Sequence, residues 1–228
     1  MAVTKIHAAL ATLALMSLAL PDALALEAPV SIRANWGVAV ESLQDPKLSG
    51  KVSTPSLNFN LGAAVSMPLS AGSRFSFDPA ADFYYSNYEL SSEGQPVPTA
   101  QEFGSAFMLG LLLDAPLVYS FPLGRGFSLG LGLGLCLDVR VAFTLDAAYF
   151  PENTPLMNRY FWDQGRFLTP STRLRVDYAL AERVSFGFSG RVYWPIYNLW
   201  TGEGYGFFDQ GLYLINLTIV YKLDKPKL

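Results

Sequence analysis

The chain has 228 residues, with 16 lysines and arginines, 19 aspartates and glutamates, one histidine and one cysteine, for a net charge of −3. One domain is the default at this length, and an acidic balance without any basic block argues against a nucleic-acid partner. Hydrophobic residues make up 51% of the chain and mean hydropathy is +0.25, high for a water-soluble exported domain.

The N-terminus reads as a secretory signal. Lys5 precedes an apolar run, Ile6–Leu20, whose only polar members are His7, Thr12 and Ser17, and Ala23-Leu24-Ala25 is a small-x-small cleavage site. The run is shorter than the ~20 residues of a spanning helix. The expected division is a signal peptide at residues 1–25 and one domain at 26–228. Cys136 stands alone and far from the N-terminus. It supports neither an intramolecular disulfide nor a lipid anchor there, so the exported domain must be held together by other means.

From Val30 onward a period of two dominates, which is the strand period. Strand one, Val30–Glu41, sets Val30, Ile32, Trp36, Val38 and Val40 against Ser31, Arg33, Asn35, Gly37 and Glu41. Strand two, Ser56–Leu69, sets Leu57, Phe59, Leu61, Val65 and Met67 against Asn58, Asn60, Gly62 and Ser66. Strand three, Phe75–Ser86, sets Phe75, Phe77, Phe83 and Tyr85 against Ser76, Asp78, Asp82 and Tyr84. Strand four, Phe103–Phe121, carries Gly110, Asp114 and Pro116 on its small face, which disqualifies it as a membrane helix. Strand five, Phe127–Phe143, has a large apolar residue at every odd position and Gly130, Gly132, Gly134, Cys136, Asp138 and Arg140 between them. A helix would lose roughly 1 kcal/mol at each of those glycines. Strands six (Ser171–Tyr178), seven (Val184–Ile196) and eight (Gly211–Leu223) repeat the pattern, with Arg173, Arg175, Asp177 and Arg191 on the polar side.

Connections alternate in length. Ser70–Arg74, Pro122–Gly126 and Ala179–Arg183 are short turns, whereas Ser42–Pro55, Asn87–Glu102, Thr144–Pro170 and Tyr197–Gln210 are long loops. Eight strands, each with one apolar face, and turns and loops at opposite ends predict an all-β protein, an eight-stranded antiparallel up-and-down transmembrane β-barrel. Closure is required because a sheet edge in lipid would leave backbone groups unsatisfied. Outward aromatics fall in two groups. Phe75, Tyr119, Phe127, Tyr178, Phe186 and Tyr221 lie near the turns, and Phe83, Tyr85, Phe103, Phe107, Phe143 and Trp194 near the loops. Two interfacial girdles have this distribution. The competing reading, a soluble calyx, would put leucine and phenylalanine in water and the charges inside.

The pattern resembles the small eight-stranded outer-membrane barrels of the OmpX and OmpW types. The last strand, "YLINLTIVYKL", is similar to the aromatic-ended signal read by outer-membrane assembly machinery, although Asp224–Leu228 trails beyond it. "LLLDAPLVYSFPLG" resembles segments of small spirochaetal barrels. The resemblance implies a bacterial outer-membrane location with both termini periplasmic and the long loops extracellular. Outer-membrane lipids and the assembly machinery are the partners it implies.

Enzymes of that barrel class use histidine as general base, and this chain holds only His7, within the expected signal. No catalytic role, metal site or cofactor is expected. Eight strands leave an interior just wide enough for side chains to fill it. Into it point Arg33, Arg140, Arg173, Arg175 and Arg191, beside Glu41, Asp78, Asp82, Asp114, Asp138 and Asp177. These charges should pair, because an unpaired buried charge is costly. A polar plug is expected, with the strand-five glycines making space for long side chains. Aromatics crowd two loops, and Tyr160, Phe161, Trp162, Trp200, Tyr205, Phe207 and Phe208 are candidates for contact with an extracellular protein or a small apolar ligand. Packing against each other and the rim is the competing reading. The leading expectation is a structural or surface-interaction barrel. The alternative is a narrow channel or transporter for small solutes.

Overall fold

The computed structural model describes residues 30–43, 56–91, 94–100, 105–143, 153–202 and 209–223. The expected signal peptide, and Tyr205, Phe207 and Phe208, lie outside them. Eleven strands form one sheet. In chain order they are β1 (Ser31–Leu43), β2 (Ser56–Pro68), β3 (Phe75–Phe77), β4 (Ala80–Leu90), β5 (Pro96–Thr99), β6 (Ala106–Asp114), β7 (Leu117–Gly124), β8 (Phe127–Phe143), β9 (Leu168–Ala179), β10 (Val184–Tyr193) and β11 (Gln210–Lys222). One helix, α1 (Asn153–Trp162), lies between β8 and β9, and a short 3₁₀ turn, Ile196–Leu199, follows β10.

The sheet closes on itself. β1 pairs with β11 (Val38↔Ile215), and β8 with both β6 and β9. All pairings are antiparallel, and eight positions go round the ring because β3 with β4, and β6 with β7, each form one interrupted strand, and β5 pairs with β4 alone. Expected strands three and four are each interrupted rather than continuous, and prolines are the reason. Pro79 and Pro116 have no N–H to give the ladder. The register does not slip across either gap: β2 pairs Ala64 with Ala80 below one side of it and Met67 with Phe77 beyond. The Asp78 N–H donates to Pro116 O at 3.0 Å, so each interruption satisfies the other.

Polarity is inverted relative to a soluble protein. Leu133 is 71% exposed and Leu57 68%, while Asp78, Asp82, Asn60 and Asn216 are fully buried. The described members of the two aromatic groups stand where the alternation predicts, and Phe103 lies outside the described residues. Phe75 and Tyr119, Tyr119 and Phe121, and Phe127 and Tyr178 make ring pairs at the short-turn end, and Tyr85 stacks on Phe107 at the other. Trp194 falls beyond the end of β10, whose expected extension to Ile196 is replaced by the 3₁₀ turn. Ten residues separate Phe75 from Tyr85 on one strand position. At about 3.3 Å per residue and a tilt near 40°, that spans about 25 Å, the height of a barrel's apolar band. No helix among the described residues is long and apolar enough to cross a membrane; the strands do the crossing.

The loop expected at Thr144–Pro170 is shorter and more ordered than its composition suggested, since α1 occupies its middle and β9 starts at Leu168. Likewise, part of the loop Asn87–Glu102 is a hairpin of β5 on the upper half of β4.

Candidate functional site

Alternation aims one face of every strand at the lumen, and all eleven charges expected there are buried. They pair in tiers. Nearest the short turns, Arg33 Nη1 and Nη2 donate to both oxygens of Asp177 at 2.9 Å each, a bidentate geometry. Arg175 engages Asp78 and lies 3.5 Å from Asp177, with Ser120 accepting a further bond at 3.0 Å. Ser66 donates to the same Asp78 at 2.7 Å. In the middle, Arg173 Nη2 donates to Asp114 at 3.0 Å, Ser171 completes that carboxylate at 2.6 Å, and Arg191 pairs with Asp82. Nearest the long loops, Arg140 sits 3.1 Å from Asp138, which also accepts from Tyr84 OH at 3.1 Å. Arg140 and Asp138 are neighbours on β8, but other pairs reach across the interior: Asp82 on β4 and Arg191 on β10 stand on opposite walls of the ring.

Glu41 is the exception. It accepts a bond from Tyr88 OH at 2.8 Å, and among the described residues no cation lies within ion-pair distance of it.

The glycines of β8 make room, as expected, but for different neighbours. A Cβ on Gly130 would stand 2.5 Å from Arg175 Nε. One on Gly132 would meet Val118 and Arg173, and one on Gly134 would meet Pro116 Cα at 2.6 Å. Only the first two serve arginines; Gly134 receives the inward-facing proline of the strand break. Cys136 is fully buried in the lumen wall.

Above the top tier, α1 closes the mouth. β8 outruns β9, whose pairing ends at Leu137↔Leu168, so the backbone edge beyond has no strand beside it. Side chains and loop take its place. Phe167 O accepts from the Asp138 N–H at 2.7 Å, Trp162 Nε1 donates to Arg140 O at 3.2 Å, and Asn158 both accepts from Ala142 N–H (2.7 Å) and donates to its carbonyl (3.1 Å). Met157 and Phe161, one helical turn apart, are buried into the barrel. Phe161 packs edge-on to Tyr88 at 5.2 Å and carries the Arg140 guanidinium 4.5 Å from its ring centre.

The candidate recognition residues therefore divide. Phe161 is 1% exposed and belongs to the core, which corrects its expected place on the surface; Tyr160 and Trp162 are half-buried. Tyr160 lies beneath Arg166, whose charged group is 4.0 Å from its ring centre. Trp200 is 55% exposed, beside Leu199 at 73%. Sequence reading missed α1, Asn158 and Arg166. The helix had a signal: Pro155 in a first turn, Met157 and Phe161 at i, i+4, and Gly165 to end it.

No family model matches the chain, and no curated protein is significantly similar in sequence. Solved structures do match. Neisserial surface protein A (NspA) is similar over 85% of this chain and 97% of its own, at 12% identity and a TM-score of 0.52. OprG from Pseudomonas aeruginosa matches over 85% and 96% at 15% identity and a TM-score of 0.46. Ail of Yersinia pestis, solved with the heparin analogue sucrose octasulfate, matches over 86% and 100% at 8% identity and a TM-score of 0.45. The likeness to NspA, at this identity, shows a shared fold and nothing finer. The chain has the fold of the small eight-stranded outer-membrane β-barrels.

Proposed function

We propose that the protein is a non-catalytic barrel of the bacterial outer membrane, with a lumen sealed by its own ion pairs and a long-loop end that meets an extracellular partner or ligand. The carrying observation is that Arg–Asp pairs cross the interior, with Arg191 and Asp82 joined from opposite walls. Burial of Val118, Leu112 and Leu214 in the lumen, and of Met108 above the top tier, leaves apolar contact where a water path would need polar lining. The outer-membrane reading rests on the exposed apolar band, and the orientation on the alternation of short turns and long loops. The only histidine, His7, falls in the expected signal peptide, which supports a role without acid–base catalysis. At the long-loop end, Leu199 and Trp200 offer exposed apolar surface of the sort that partners bury.

Planar-bilayer recording of the refolded barrel tests the seal. A silent bilayer is expected. A double variant, D82A/R191A, removes the pair that joins opposite walls and should produce brief openings. Stepwise conductance by the unaltered protein would replace the sealed reading with that of a narrow channel.

A further inference from the structure

The lumen holds five arginines and six acids among its expected charges, and each arginine has an aspartate partner. Glu41 is left over. Its side chain is 5% exposed; Oε1 accepts from Tyr88, while Oε2 has no hydrogen-bond partner. It lines a cavity of about 60 Å³ at the mouth, beneath Tyr160 and Phe161 of α1. Three more oxygens on residues that line this cavity, Thr169 Oγ1, Tyr193 OH and Gln210 Oε1, are also buried without partners. Cavities of this size are roomy enough for several waters, each of which needs about 10–15 Å³ by the same measure.

Charge decides what belongs there. The ionisable residues that line the cavity, other than tyrosines, are Glu41, Asp138 and Arg140. Arg140 is already committed to Asp138, to Arg166 O at 2.9 Å and to the face of Phe161. Among the described residues Glu41 has no ion-pair partner, and leaving a buried charge unpaired is costly. Water can solvate it; a proton or a cation can neutralise it. The described residues contain no group of three metal-ligating side chains, and a divalent ion would find one free carboxylate where it ordinarily needs several. A monovalent cation balances the charge. A primary ammonium adds three donors for three of these unpartnered oxygens, Glu41 Oε2, Gln210 Oε1 and Thr169 Oγ1.

We propose that the mouth cavity is a binding site for a primary ammonium head, anchored on Glu41. The proposal goes beyond the sealed-barrel reading and does not need the lumen to be closed below it. The cavity suits the end of a short alkylamine or of a lysine side chain better than a whole sugar or nucleotide.

Thermal unfolding and calorimetry of the full barrel in detergent, titrated with methylammonium, potassium, tetramethylammonium and calcium chlorides, test it. Methylammonium should bind saturably and raise the unfolding temperature. Tetramethylammonium, which has no donors, should do neither. Glu41→Gln should weaken methylammonium binding by at least about tenfold, since it removes the charge-assisted bond. Thr169→Val removes one neutral acceptor, should weaken binding less, and keeps the test open if the first variant does not fold. Equal or tighter binding of potassium or calcium would overturn the ammonium assignment, as would saturable binding that survives Glu41→Gln. Absence of any saturable effect would leave only water in the cavity and overturn the site. None of these outcomes bears on conductance, so the failure of this site and the failure of the sealed barrel can be told apart.

Discussion

Gly110 has no room for a side chain: a Cβ there would stand 2.0 Å from the ring of Tyr84, which is 2% exposed and bonded to Asp138. Gly190 faces outward, and a Cβ on it would meet nothing within 4 Å. Gly110→Ala should therefore destabilise the barrel by about 1–3 kcal/mol through overpacking. Gly190→Ala should change stability by less than about 1 kcal/mol. Urea midpoints of the two refolded variants check the contrast, and equal losses would show that glycine propensity rather than lumen packing is at work. Charge removal is the companion case. Asp114→Ala strands Arg173 and takes the acceptor from Ser171, for an expected loss of about 3–5 kcal/mol. Glu182→Ala, in an exposed turn, should cost almost nothing by the same urea measurement. The inward position of every lumen charge was legible because strands alternate with a period of two. Who pairs with whom was not, since a carboxylate on β4 meets a guanidinium on β10 only once the ring has closed. The leftover status of Glu41 follows from those pairings and was equally hidden.

Elements were legible wherever period two ran unbroken, as in β8, whose seventeen residues fall where the alternation placed them. Prolines mark where that reading ran out. Alternation persists across Pro79 and Pro116, so periodicity alone gave no reason to divide the strands, although a proline in a central strand argues for an irregularity. The helix was hidden by composition: its aromatics suggested a surface, whereas a helix that closes a barrel needs aromatics to bury. α1 is also what finishes the sheet. Exposed backbone at a strand edge invites pairing with another chain, and Asn158 satisfies both polar groups of Ala142 by imitating a neighbouring strand. Asn158→Ala should expose that edge. Its expected signature is faster hydrogen exchange at the Ala142 amide, with unfolding made easier by about 1–3 kcal/mol for the stranded groups. Unchanged exchange at Ala142 would mean that the mouth is held by Phe161 and Met157 alone. Phe161→Ser should in turn cost about 3–5 kcal/mol, the range for emptying a buried aromatic site.

At the scale of the whole molecule, one inversion explains composition, fold and placement together. Leucine and phenylalanine outside and arginine–aspartate pairs inside make a body stable only in an apolar sheath, and the two aromatic girdles fix how deep it sits. The girdles do not say which end faces out; connection lengths do. Outer-membrane barrels keep short turns in the periplasm and long loops outside, so Ala71 and Glu182, in exposed short turns, should be periplasmic, and Ala100 and Arg159 extracellular. Single cysteines at these four positions, on a Cys136→Ser background, can be offered a membrane-impermeant maleimide on intact cells. The native thiol is fully buried, so its removal leaves the outer surface unchanged. Gly72, Gly124, Gly165 and Gly202 are poorer reporters, because each holds a positive φ that a cysteine would strain. Ala100→Cys and Arg159→Cys should label on intact cells, and Ala71→Cys and Glu182→Cys only after the outer membrane is opened. The reverse pattern would turn the barrel over. It would carry the mouth, with Glu41 and its cavity, to the periplasmic side, where an ammonium ligand would have to come from within the cell envelope.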